Sequence, residues 1–414
     1  MRIAVLSDLE TSGGAARCTT RLASSLREGG HDVQRIVGID PANPVPGAAR
    51  MLAPSRVERR LARVLAPRLP DLTRRLVQAR VAATLDATLA RTKPDVVNVH
   101  NVHFADWGPE IVEVCARHAP VVWTLHDMWS MTGRCAYAYE CRRFVSGCDA
   151  SCPTADEYPA LAPDRIAAAW LLRERLWRRL SSLTIVAPSR WLAGEARGGL
   201  WRHHRIETIP YGVPLDLYRP RDQERARIRA TLGVGERDVL ALVVAASVAE
   251  RRKGFRYVVD ALSAGPIPGL HLGVIGHGGD VVELEGVPLH RLGYVSDEAR
   301  MAELYAAADL LIHPAPVDNL PNVVLEAMAC GTPTLAFEIG GLPDMVRPGL
   351  TGWFASELSG RGLRAGLEHA VEELARGQAL RQSCREVAVA EYRPELQAER
   401  YESVFRSLGA ASHP

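Results

Sequence analysis

Lysine is almost missing from this chain. Of its 414 residues only Lys93 and Lys253 are lysine, and arginine carries nearly all the positive charge. A lysine kept where arginine is the rule singles out Lys253. Net charge is close to zero as well, at +2, so no global field points to nucleic acid as a partner. No apolar run reaches the roughly 18 residues that a membrane-spanning helix needs. The longest candidate, "VLALVVAASVA", has the length of a strand. The opening "MRIAVLSDLE" lacks the apolar length and the small-residue site of a secretory signal. Together these absences predict a cytoplasmic protein. No G-x-G-x-x-G follows a strand, which argues against a dinucleotide cofactor.

What is present is ordinary for a globular protein: 47% hydrophobic and 24% charged residues, enough apolar content for a real core. The length exceeds one core, so two domains of roughly 200 residues each are expected. Short apolar runs alternate with helical patterns. The runs at 2–8, 32–38, 95–101, 121–127 and 183–189 read as buried strands. The pattern then restarts at 204–210, 239–247, 270–278, 287–295, 309–315 and 332–338. Two such α/β sets predict two parallel sheets covered by helices. The Pro- and Gly-rich "IPYGVPLDLYRPRD" (209–222) reads as the linker. The expected domains are 1–208 and 209–390, with an amphipathic helix from 391 packing back on the first. Ligands bind beyond the carboxyl ends of parallel strands. The polar residues there include His126 and Asp127; neighbouring side chains at a strand end point opposite ways, so only one of the two is expected to face a ligand.

Three motifs carry chemistry. Gly13 and Gly14 precede a helix after the first strand, where backbone amides can approach an anion or a sugar. Arg251, Arg252 and Lys253 follow a strand and precede a helix; cations there can neutralise a diphosphate. The third is "VDNLPNVVLEAMACG". Pro321 suits a first helical turn, Asp318 or Asn319 can cap it, and Gly331 ends it. Amides from Asn319 to Val323 would face an anion. Glu326 offers two acceptor oxygens to a ribose diol, and Asp318 would reach the sugar beyond. The plainer alternative makes Asp318 a helix cap and Glu326 a surface salt bridge.

These motifs, with "VVWTLHDMWSMTGRCAY", "VAPSRWLA", "IPYGV", "RRKGF" and above all 303–346, resemble the retaining GT-B glycosyltransferases of family 4, the E-x7-E group, in its capsular and colanic-acid-like branch. The resemblance implies two Rossmann-like domains facing across a cleft, the first on the acceptor side and the second binding a nucleotide sugar. It implies roles for single residues. Glu326 would bind ribose and Asp318 the donor sugar. Lys253 with Arg252 or Arg251 would neutralise the diphosphate. Backbone at Asn319, Leu320, Pro321 and Asn322 would hold sugar and phosphate, with Gly13 and Gly14 lining the diphosphate and acceptor side. His126 would sit against the transferred sugar. Gly276, Tyr294 and Val295 would border the base, with UDP expected. No metal or other cofactor is expected in catalysis. The chain departs from the family twice: the first acid is Asp, one methylene short, and Val248 stands where an arginine is usual.

Cys135, Cys141, Cys148 and Cys152 lie in one window with x5, x6 and x3 spacing. Structural zinc, disulfides and free thiols all stay open, since the paired C-x2-C of common zinc modules is absent. The resemblance implies a structural role for this segment. The stretch 55–80 is arginine-rich, with Val57, Leu61, Val64 and Leu65 on one face. It reads as a core-facing helix or as a peripheral contact with an anionic inner membrane face. The acceptor is unspecified: glycan, lipid-linked or small natural product. Rival functions are a GT-B sugar-nucleotide epimerase or phosphorylase, and a non-catalytic nucleotide-sugar-binding subunit.

Overall fold

The computed structural model describes residues 1–10, 13–38, 50–51, 70–105, 107–155, 157–247, 250–278, 284–377 and 380–410. The chain forms two compact units: Met1–Pro210 joined by the stretch from Pro394, and Tyr211–Arg393.

Among the described residues, the first unit holds a seven-stranded parallel sheet. Its strands are β1 (Arg2–Ser7), β2 (Asp32–Val37), β3 (Arg50–Met51), β4 (Val96–Val99), β5 (Val121–Thr124), β6 (Thr184–Ala187) and β7 (Arg205–Thr208), in the order β3-β2-β1-β4-β5-β6-β7. β1 pairs on both sides, with Ile3 opposite Val33 and Val96. Its side chains alternate. Ile3 and Val5 join Leu22, Val122 and Val186 on one side; Ala4 and Leu6 join Val97, Val99 and Trp123 on the other. A run apolar at every position buries both faces of its sheet. On the second face Trp177 and Trp201 stack at 4.8 Å, with Trp123 edge-on at 5.1 and 5.5 Å.

The first face is covered by the helix Pro394–Ala410, which contributes Tyr401 and Phe405. The Tyr401 hydroxyl lies 2.9 Å from Thr124 Oγ1. This helix starts at Pro394, not at 391. Residues Leu380–Glu391 form a separate helix of the second unit. Pro394 lacks the N–H that would continue that helix and suits the first turn of the next. A second difference concerns 204–210. The strand pattern groups this run with the second set, whereas the 1–208 boundary keeps it in the first domain; β7 pairs with β6 and closes the first sheet.

Among the described residues, the second unit holds a six-stranded parallel sheet: β8 (Val239–Ser247), β9 (Leu270–His277), β10 (Leu289–Gly293), β11 (Leu310–His313), β12 (Thr334–Phe337) and β13 (Gly352–Ala355), in the order β10-β9-β8-β11-β12-β13. The sequence reading lacks β13, a four-residue strand inside "LTGWFASE" whose length is its only weakness as a signal. No helix among the described residues is long and apolar enough to cross a membrane. Of the arginine-rich stretch 55–80, residues 55–69, including Val57, Leu61, Val64 and Leu65, lie outside the described residues.

Candidate functional site

In the second unit β8 leads into a tight turn, Arg251–Lys253, ended by Gly254 at φ 68. A Cβ on Gly254 would collide with the Pro314 carbonyl oxygen. Glycine alone accepts both that backbone and that approach. The contact seats the turn against the loop after β11. Lys253 Nζ then comes to 3.4 Å from Asp318 Oδ2. Arg252 Nη1 lies 3.8 Å and His313 Nε2 3.4 Å from the same oxygen. The other carboxylate oxygen, Oδ1, accepts the Asn319 N–H at 2.9 Å. From the opposite side Gly340, at φ 55, lies so close to the Asp318 carbonyl that a Cβ there would collide as well. Two glycines thus pinch the loop that carries Asp318.

Asp318 is 6% exposed. Burial by itself would raise its carboxyl, but Lys253, the His313 ring and Arg252 outweigh it and hold the group well below the usual carboxylate range. Burial lowers the His313 imidazole against the pull of Asp318. The turn carries three cations, Arg251, Arg252 and Lys253, against the carboxylates of Asp318 and Glu250, which leaves one positive charge over. Arg252 also gives its Nε to Glu250 Oε1 at 3.0 Å. Arg251 sits on the same turn and is exposed.

The helix behind this loop is Asn322–Ala329. Pro321 is its N-cap, with no side-chain cap bond. The N-cap position thus falls on Pro321 rather than on Asp318 or Asn319, and the Asp318 carboxylate meets the cations and its neighbour's N–H. Asn319, Leu320 and Pro321 are buried, while Asn322 and Val323 are half-buried. The helix ends on Gly331, whose N–H bonds Met328 O at 3.0 Å while Thr332 N–H bonds Ala327 O at 2.9 Å. That is the paired C-terminal motif that wants glycine in the left-handed region, and Gly331 has φ 82. Glu326 is 1% exposed, and its Oε2 accepts the Tyr305 hydroxyl at 3.4 Å. The surface-salt-bridge alternative for Glu326 is excluded by that burial. Two strands away, Gly276 at φ 149 closes β9, and His277 stacks on Tyr294 at 4.2 Å and 13°. Tyr294 is 48% exposed and Val295 half-buried.

In the first unit His126 follows β5 and is buried. Its Nε2 lies 2.9 Å from His100 Nδ1. His100 Nε2 lies 2.9 Å from Asn98 Oδ1, and Asn98 spends its amide N–H groups on Val122 O and Thr124 Oγ1. That network assigns the protons. Asn98 Oδ1 must accept, so His100 Nε2 donates and its Nδ1 accepts from His126 Nε2, leaving His126 Nδ1 as an acceptor. Burial pushes His126 down to about 3, with His103 adding to it. Burial also holds His100 well below its ordinary value. Both rings are neutral near pH 7.

His126 and Asp127 line one small pocket with His103 and Trp129. Asp127 Oδ1 accepts the Trp129 N–H at 2.8 Å, and Oδ2 lies 3.6 Å from His103 Nε2. Gly13, at φ 86, precedes the helix Gly14–Glu28, whose start after β1 places both glycines at the carboxyl end of that strand. Glu10, on the same loop, is 3% exposed, and its Oε1 has no hydrogen-bond partner among the described residues. The sequence reading missed Glu10 and His103. Each is an ionisable residue in the loop that follows a buried strand, and that position was the available signal.

Cys135, Cys141, Cys148 and Cys152 gather around one cavity of about 10 Å³. All four are free thiols. Cys148 Sγ accepts the Gly133 N–H at 3.2 Å, and burial pushes its thiol up to about 12. Among the described residues no group of three or more His, Cys, Asp or Glu could hold a metal ion.

Two parallel α/β sheets with ligand-type side chains at their carboxyl ends define the class of two-domain, sheet-edge binding proteins. Comparison gives the family. The model described as Glycosyltransferase Family 4 matches residues 12–217, and that described as Glycosyl transferases group 1 matches residues 240–374. The chain belongs to the GT-B glycosyltransferases of this kind. It is 28% identical over 260 residues to the putative colanic acid biosynthesis glycosyl transferase WcaC of Escherichia coli K12, an alignment that spans 60% of this chain and 61% of that one. Its fold is similar to that of sucrose-phosphate synthase from Thermosynechococcus elongatus (TM-score 0.73, 19% identity, 99% of each chain). It is also similar to Anabaena HepE in complex with UDP-glucose (TM-score 0.69, 18% identity, 99% of this chain and 100% of that one).

Proposed function

We propose that this protein transfers a sugar from a nucleoside-diphosphate sugar, UDP-linked by preference, to a hydroxyl of a glycan, lipid-linked or small natural-product acceptor, with retention at the anomeric carbon. The observation that carries the reading is the cluster of Lys253 and Arg252, held by Gly254 against the loop that leads into helix Asn322–Ala329. Its surplus positive charge beside a helix N-terminus suits a diphosphate. The UDP-glucose in the HepE complex supports the choice of donor.

In this reading Lys253 and Arg252 neutralise the charge that grows on the leaving diphosphate. Backbone at Asn319–Asn322 holds sugar and phosphate. Glu326 meets the ribose, while Gly276, Tyr294 and Val295 border the base. Retention follows from attack on the face the diphosphate leaves, with a leaving-group oxygen taking the acceptor proton. The C–O bond to the diphosphate breaks as the C–O bond to the acceptor forms. Positioning and charge stabilisation are then the protein's contribution, and His126 sits against the transferred sugar. Activity in EDTA is expected to persist.

The setting is a cytoplasmic protein that reaches lipid-linked acceptors at the membrane face through residues 55–80; Leu72 and Leu76, both exposed, lie in its described part beside Arg74 and Arg75. A zinc on the four thiols would need them deprotonated and drawn closer, and metal analysis of protein purified without added zinc decides it. The function is tested by thermal shift with UDP and GDP sugars, then by nucleotide release with candidate acceptors and NMR of the product anomer. A Tm unmoved by every nucleotide sugar sinks the reading. Interconversion of the donor without acceptor would identify an epimerase, and dependence on inorganic phosphate a phosphorylase.

A further inference from the structure

The first unit carries a feature that donor chemistry does not use. Flat groups lie in a row at the carboxyl ends of β4 and β5. The Arg173 guanidinium lies 4.1 Å over Trp129. Trp129 faces the His103 ring at 5.2 Å and 24°. His103 faces Phe104 at 5.4 Å and Tyr158 at 5.9 Å. Phe104 and Tyr158 stack at 4.7 Å and 27°.

The row runs from core to solvent. Arg173 is 4% exposed and Trp129 8%, but Phe104 is 48% and Tyr158 52% exposed. The loop of His103 and Phe104 is tied down as well. Asp8 Oδ2 accepts the Phe104 N–H at 3.0 Å, and Asp127 faces His103. Large rings usually go inside. Two of them held rigidly at the surface by a buried stack mark a contact face.

The size and surroundings select the ligand. Two rings are far too small an area for a stable protein partner. Stacked on each other, they leave one outward aromatic face, which matches one six-membered ring. A polyhydroxylated ring has a face of C–H groups that suits the negative face of an aromatic ring, and a rim of hydroxyls that needs acceptors. Asp127 and His126 stand at the foot of the platform, in the pocket that His103 and Trp129 also line. The Asp127 carboxylate, beside His103 and the Trp129 N–H, offers acceptor lone pairs there. We propose that Phe104 and Tyr158 form an acceptor subsite that takes the C–H face of a pyranose or cyclitol ring. The proposal rests on the reading of this protein as a glycosyltransferase.

Saturation-transfer NMR on the full chain tests it, with methyl β-D-glucoside, methyl β-D-galactoside and myo-inositol as probes. Ring-proton signals are expected from at least one probe. A glycoside response identifies a pyranose, and an inositol response a cyclitol. Tyr158→Ala and Phe104→Leu should weaken that probe at least fivefold, Tyr158→Trp should keep it, and Leu358→Ala, an exposed residue of the second unit, should leave it unchanged. The Kd for UDP should stay within twofold in all four variants. No signal from any probe, or equal signals in wild type and Tyr158→Ala, overturns the subsite. Failure of the wild type to bind UDP would instead overturn the glycosyltransferase reading, so the two failures are separable.

Discussion

The two units use one plan, a parallel sheet with polar residues at its carboxyl ends, but arm it oppositely. In the first unit the buried histidines are neutral. His126 and His100 bond each other, His100 bonds Asn98, and burial holds both imidazoles low. In the second unit His313 has Asp318 beside it, and Lys253 and Arg252 crowd the same carboxylate. The first edge presents neutral acceptors and aromatic rings; the second presents surplus positive charge. One suits hydroxyls, the other an anion. The difference comes from a few residues after each strand, not from the sheets.

The strongest way to break that contrast is to discharge the second edge. Lys253→Ala should lower kcat about 10²- to 10³-fold, or roughly 3–4 kcal/mol, as loss of a charge-stabilising group does, while Tm stays near that of the wild type. Glu326→Ala should lower transfer strongly with the protein still folded; wild-type turnover by that folded variant would remove the ribose assignment. Gly254→Ala attacks the same cluster through the backbone. It forces a side chain into φ 68 and into the Pro314 carbonyl, a strain of about 1–3 kcal/mol, which urea denaturation would read along with weakened UDP binding.

Asp318 sharpens the comparison. The resemblance gives it the donor sugar, yet the structure surrounds it with cations. If it positions them, Asp318→Asn frees positive charge: the Kd for UDP holds or tightens, and kcat falls about tenfold, roughly 1.4 kcal/mol, as Lys253 loses its anchor. If it binds sugar, the variant instead raises the KM for the UDP-sugar and leaves UDP affinity alone. Asp318→Glu restores the family's longer reach and separates the two roles further.

Much of this was legible in the sequence. Continuous apolar runs give buried strands because both sheet faces are covered, and "RRKGF" gives a cationic turn because its glycine must touch the next loop. What stayed hidden depends on distant partners. That Asp318 faces Lys253 requires β8 and β11 to be neighbours, which no local pattern states. His103 and Phe104 share one loop and Tyr158 comes from another, and nothing in "NVHFAD" or "DEYPA" announces a stack. The strand pattern and the domain boundary disagree over the edge strand β7, because a four-residue run carries no mark of the sheet it joins.

The smallest expected effect tests the neutral edge itself. A histidine in an open chain titrates near 6.5, whereas folding holds His126 down to about 3. Below pH 6.5 the unfolded chain therefore binds a proton that the folded unit refuses, and stability falls as pH drops towards 3. Each pH unit in that window costs about 1.4 kcal/mol per fully refused proton. His126→Gln keeps a donor for His100 but cannot titrate. Between pH 6.5 and 5.5 its stability should fall by about 1 kcal/mol less than that of the wild type, read from urea midpoints. Asp318 does not enter this window, because its depressed carboxyl supports stability above about pH 3.8 and releases it only below. The lowered His313 is present in both proteins and cancels in the difference. Equal pH slopes for the two proteins would mean that His126 is protonated in the folded unit, and the contrast between a neutral and a charged edge would be lost.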